Sequence, residues 1–153
     1  MDFEIIKLIH ILSSTILFGT GIGSAFFMFM ANRRKDIHGI YFATRHVVIA
    51  DWLFTAPAVI IQLLTGLWLM KTAGYEHSEK WIMWGLGLYF FTGTCWLPVV
   101  WIQIKMRDMA KTALETGTEL PAHYWKLDKC WITLGSLAFP AVMVIFWLMV
   151  TKP

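Results

Sequence analysis

The chain has 153 residues, of which 58% are hydrophobic, 16% aromatic and only 15% charged. That is too apolar for a soluble domain and too short for several domains, so the sequence reads as an integral membrane protein. The formal net charge of +3 implies no nucleic-acid partner, because the basic residues cluster between apolar runs, where they report membrane orientation.

A transmembrane helix needs about 20 mostly apolar residues, and that length recurs four times, over 5–30, 43–70, 81–104 and 131–150. The expectation is an all-α fold: one four-helix transmembrane domain over 1–153, embedded in the lipid bilayer. The first run starts almost at Met1 without a basic stretch before it. It ends in "ANRRK" without a small-residue cleavage site, so it reads as a span and not as a signal peptide. The first link carries Arg33, Arg34 and Lys35, with Arg45 just after it; the third carries Lys105, Arg107, Lys111, Lys126 and Lys129. By the positive-inside rule both are cytoplasmic, which places the N-terminus, the link "KTAGYEHSEK" and the C-terminus outside. Trp68, Trp81, Trp84 and Trp147 then fall near the outer ends of spans, as an aromatic belt does. The third link continues helically and breaks at Gly117 and Pro121, with its "HYW" expected at the headgroup level. Cys95 and Cys130 have no C-x-x-C spacing and fix no redox compartment.

Helical spacing assigns polar residues to faces, at about 100° per residue. In the first span His10, Ser13, Ser14, Leu17, Gly21, Ser24, Ala25 and Met28 share a small, hydroxylated face. Gly19 and Gly23 form a G-x-x-x-G, for which close helix packing is the ordinary reading. His10 stands apart, since intramembrane ionisable residues are rare and face interiors or cavities; it reads either as a satisfied structural histidine or as a ligand.

In the second span Asp51, Thr55, Ala58, Gln62, Thr65 and Leu69 share a face that must look into the bundle, because lipid satisfies neither a carboxylate nor an amide. His46 lies about 140° away around the helix and close to the inner surface. Asp51 reads either as a carboxylate paired with Arg45 or another basic residue, or as a handler of protons or substrate charge. The third span aligns Tyr89, Thr92, Trp96 and Gln103. Pro57, Pro98 and Pro140 interrupt spans two to four, as membrane helices tolerate.

A histidine on a bundle helix, in an apolar pocket rich in aromatics and Met, is a common way to hold a b-type heme. His10 and His46 do not share one iron, because antiparallel spans separate them by about 15 to 20 Å along the bilayer normal. If His10 binds heme, the sixth position is open or filled from the outer half by Met70, Met83 or Met149.

Over "KLIHILSSTILFGTGIG", "RHVVIADWLFTAPAVIIQLLTGLWL", "WLPVVWIQIKMRDMA" and "MVTKP" the chain resembles, along almost its whole length, a family of predicted bacterial tetraspan membrane proteins with no established function. The K-x-x-H-I of the first span, a glycine about ten residues on, and a second span ending in G-L-W-L also resemble HemJ-type protoporphyrinogen oxidases and CopD-like copper-resistance membrane domains. The HemJ resemblance implies b-heme binding at His10. Those proteins also use a lysine within W-L-x-x-K; here the third span opens "KWIMWG", with Lys80 before the tryptophan.

Three readings follow. The first is a b-heme redox protein of the bacterial inner (plasma) membrane, working in electron transfer. His10 would ligate the iron, Ser14 and Gly21 would line the cofactor on the same face, and Asp51 and Gln62 would form the catalytic polar route for accompanying protons. The second is a copper-handling or transport protein, with His10 and outer methionines as soft ligands and only His77 in the outer loop. The third is a non-catalytic subunit of a homodimer or larger membrane complex, packed through Gly19 and Gly23. Walker, Rossmann and H-E-x-x-H motifs are absent.

Overall fold

The structure is a computed structural model that describes residues 2–76 and 78–153; His77 lies outside the described residues. Every regular element is helical. Helix α1 (Phe3–Arg34), α2 (Ile37–Thr72), α3 (Lys80–Thr116) and α4 (Ala122–Thr151) are each long and apolar enough to cross a membrane. The large side chains they expose are mostly apolar, Phe27 at 68% and Leu97 at 65% among them, as the lipid-facing side of a bundle requires.

Local chemistry sets the helix ends. Arg33 and Arg34 occupy the last turn of α1, where cations complement the helix dipole, and Lys35 closes it in a left-handed conformation (φ 57°) with its N–H on Asn32 O. Asp36 then caps α2, its Oδ2 accepting from Gly39 N at 2.8 Å. Gly117 (φ 64°) terminates α3, since glycine takes that conformation without Cβ strain. Charge ends the lipid-embedded length but not the helix, so α3 runs on beyond 104 to Thr116 and α4 starts at Ala122, ahead of 131.

One turn of α2 is not α-helical. Asp51–Thr55 forms a π turn, with the N–H of Ala56 bonded back to Asp51 O. Pro57 sits just beyond it and explains it: proline donates no N–H and its ring clashes with the carbonyl four residues back, which the wider turn relieves.

The helices pair as two hairpins, α1 with α2 and α3 with α4; between hairpins the main packing is the first half of α2 against α3. At the end rich in Arg and Lys, called here the basic end, Met28, Ile40, Val47, Ile102, Met106, Tyr124, Leu127 and Trp131 form a core drawn from all four helices. At the opposite, terminal end a smaller cluster joins Met70, Trp81, Ile82 and Leu148. Between the two clusters the hairpins stand apart. Phe18 bridges α1 to α4 by stacking on Phe139 (centroids 5.3 Å) and edge-on to Phe146 (5.5 Å), and Tyr89 bridges α3 to α2 through its hydroxyl on Val59 O (2.8 Å).

The structure bears on three sequence expectations. Gly19, Gly21 and Gly23 have open space where a Cβ would stand, so they mediate no close packing within the chain. Tyr124 of "HYW" is fully buried and donates to Asn32 Oδ1 at 2.7 Å, because α4 starts early enough to bring it into the basic-end core. Of the proposed belt, Trp84 and Trp147 are exposed, whereas Trp81 is buried with its Nε1 on Glu79 Oε2 at 2.7 Å.

Candidate functional site

The gap between the hairpins is a cavity of about 1260 Å³, at or above the usual range of roughly 300–1,000 Å³ for ligand sites. Most of its wall is apolar, and the polar residues of the first two spans meet it. His10, Ser14, Gly21, Asp51 and Gln62 all line it.

Towards the terminal end the polar stripe of α2 faces α1. His10 Nδ1 lies 2.8 Å from Thr65 Oγ1, and Gln62 Nε2 lies 3.0 Å from His10 Nε2. The tautomer follows from both sides. Thr65 donates its one proton to Ile61 O (2.5 Å), so its oxygen accepts from His10 Nδ1–H. Ser13 Oγ reaches both His10 O (2.9 Å) and Gln62 Oε1 (2.6 Å), and in this orientation the amide nitrogen of Gln62 faces Nε2 as donor. With the amide so oriented the imidazole is protonated at Nδ1 and carries its lone pair on Nε2, pointing outwards from α1. Gly66 makes the ring's position possible: a Cβ there would stand 3.1 Å from His10 Cε1.

Nearer the basic end the same helix faces α3. The π turn buries Asp51 and Thr55 at 5% exposure each. With the Gln103 amide oriented to satisfy both of its partners, its nitrogen donates to Asp51 Oδ2 (2.5 Å) and its oxygen accepts from Trp131 Nε1 (3.2 Å). Thr55 and Trp96 approach the same carboxylate, yet Thr55 Oγ1 and Trp96 Nε1 are buried without a partner at hydrogen-bonding geometry. Arg45 is not the partner of Asp51; it lies exposed outside this cavity.

His46 is separate from both clusters. It is exposed, with Nδ1 donating to Phe42 O of its own helix (2.7 Å) and its ring 4.1 Å from that of Phe42. Met70 and Met149 line the cavity, whereas Met83 is 60% exposed and does not. Among the described residues no group of three or more His, Cys, Asp or Glu is placed to hold a metal ion.

Sequence reasoning placed Gln62 and Thr65 on one face and His10 and Ser13 on another without pairing them. It missed the Asn32–Tyr124–Asp128 link, in which Asn32 Nδ2 also donates to Asp128 Oδ1 at 2.7 Å. Asn32 stands beside arginines in what reads as a link, and nothing local marks it as core.

Four membrane-length helices, two hydrogen-bonded polar clusters and a cavity between the hairpins define a tetraspan integral membrane protein. The chain belongs to the family of predicted integral membrane proteins designated DUF2269, whose model matches residues 4–153. No curated protein and no solved structure matches it.

Proposed function

We propose that the chain is a b-type heme protein of the bacterial plasma membrane, with its basic end in the cytoplasm, in which His10 would ligate the iron. The observation that carries this reading is the hydrogen bond from His10 Nδ1 to Thr65 Oγ1 at 2.8 Å. Nδ1–H is held by Thr65, the arrangement that orients a ligating imidazole and raises its basicity, and the Nε2 lone pair remains as acceptor beside a large apolar cavity. Donor type and cavity size fit the group on one condition: the Gln62 amide, now on Nε2, must release it. Ser14 and Gly21 would border the macrocycle, Lys7 and Lys152, which also line the cavity, would pair its propionates, and Met70 or Met149 would supply a second ligand. Bound heme supplies one-electron redox chemistry. The chain's own part is to orient the imidazole through Thr65, to exclude water with the terminal-end cluster, and to pass accompanying protons by way of Gln62 and Asp51.

The test is an absorption spectrum of protein purified from cells supplied with heme precursors. A Soret band that disappears in His10→Ala, with helicity retained by circular dichroism, is expected. A colourless protein, or an unchanged band in His10→Ala, overturns the reading.

A further inference from the structure

A carboxylate inside a membrane bundle persists when it is protonated or when a cation sits against it. Asp51 is 5% exposed, and among the described residues no Lys, Arg or His forms an ion pair with it. Its neighbours are neutral: the Gln103 amide, the Thr55 hydroxyl and the Trp96 indole. Thr55 Oγ1 and Trp96 Nε1 are themselves unpartnered. All four side chains, with Trp131, line the chamber. Its basic-end wall is therefore incomplete as a closed core: a carboxylate surrounded by neutral groups and without a counter-charge lines an apolar space.

We propose that this part of the chamber binds a lipophilic organic cation, its charge on the Asp51 carboxylate beside the indoles of Trp96 and Trp131, and its apolar body in the cavity. The sign of the charge selects the ligand, since Asp51 is the one carboxylate among the described residues lining the cavity. An anionic amphiphile meets repulsion there. The route in is lateral. Ile22 on α1 and Ser136 and Phe139 on α4 line the cavity while remaining exposed, so the gap between α1 and α4 opens towards the bilayer. Entry at the terminal end leads past Lys7 and Lys152, which disfavours a cation. The inference does not depend on heme ligation at His10, because Asp51 lies eleven residues, or about 16 Å, along α2 from Gln62, the residue that meets His10.

Tetraphenylphosphonium and tetraphenylborate share a shape and differ in the sign of their charge. Equilibrium dialysis of each against the purified full chain in neutral detergent tests the site. Saturable binding of the phosphonium, at least tenfold tighter than that of the borate, is expected, with at least tenfold loss in Asp51→Asn and retention in Asp51→Glu. Equal binding of the two ions, or unchanged phosphonium binding in a folded Asp51→Asn, overturns the proposal. The comparison of ions uses the unsubstituted chain, so it stands even if a variant fails to fold. An absorption spectrum of the same preparation separates the two ideas: charge-selective binding without a Soret band sinks only the heme reading, and a Soret band without charge selectivity sinks only this one.

Discussion

Replacing Tyr124 with Phe tests what closes the helix ring at the basic end. Tyr124 has no exposed surface and Asn32 is 3% exposed, and their 2.7 Å hydrogen bond continues through Asn32 Nδ2 to Asp128 at 2.7 Å. These bonds tie α1 to α4, two helices with little other packing between them. Tyr124→Phe removes the donor and strands Asn32 Oδ1 where water does not reach, a loss of about 1–3 kcal/mol. Asn32→Leu strands the tyrosine hydroxyl and takes a partner from Asp128, so it costs at least as much. Removing both partners is milder than removing either alone would suggest, and the double variant should fall short of the summed losses by about 1 kcal/mol. Reversible unfolding in mixed micelles, driven by sodium dodecyl sulfate and followed by circular dichroism, measures all three. The reasoning fails if Tyr124→Phe lies within about 0.5 kcal/mol of the parent, the ordinary range of surface substitutions, or if the two losses simply add.

Gln62→Ala frees His10 Nε2 while leaving Thr65 to hold Nδ1; heme content at a given heme supply should rise, and a fall would show that Gln62 helps to hold the cofactor. Gly66→Ala places a methyl 3.1 Å from His10 Cε1 and must push the ring, so the Soret absorbance per chain should drop several-fold. Gly87→Ala meets open space and serves as the control; equal effects of the two would separate Gly66 from the histidine. Orientation is read from the native cysteines, because Cys130 is exposed and Cys95 buried. A membrane-impermeant maleimide should label Cys130 in inverted vesicles and not in right-side-out ones, and the opposite result would reverse the topology.

Hydropathy made the four spans legible, since lipid demands a length of apolar residues that no other environment requires. The inward stripe of the second span was legible for a related reason: Asp51, Thr55, Gln62 and Thr65 repeat at helical spacing, and a carboxylate and an amide do not face lipid. The partners were hidden. Angular position says which way Gln62 points but not that His10 stands at its height on the next helix, nor that Gln103 meets Asp51. Gly19 and Gly23 meet no neighbour within the chain, because small residues at that spacing serve equally for packing inside one chain and between chains. Tyr124 was hidden because a tyrosine near a membrane boundary satisfies its hydroxyl as readily in headgroups as on a buried asparagine.

One observation explains how a single helix serves two partners. In an uninterrupted α-helix Asp51 and Gln62 would point within about 20° of each other, yet Gln62 meets α1 and Asp51 meets α3. The π turn accounts for the difference, because it acts as an insertion of one residue and rotates everything before it by about 100°. Excising that extra residue should therefore preserve both directions. Deleting Leu53, which is 62% exposed, together with Pro57→Ala to remove the clash that the wide turn relieves, should give a folded chain that keeps the Asp51–Gln103 and His10–Gln62 contacts. Deleting Leu64, also 62% exposed, removes a residue from regular helix and swings Thr65 about 100° from His10 relative to Gln62. Thermal unfolding in detergent should then show the first deletion close to the parent and the second strongly destabilised. Equal damage from both would mean that the turn is not an inserted residue and that the switch of partners has another cause.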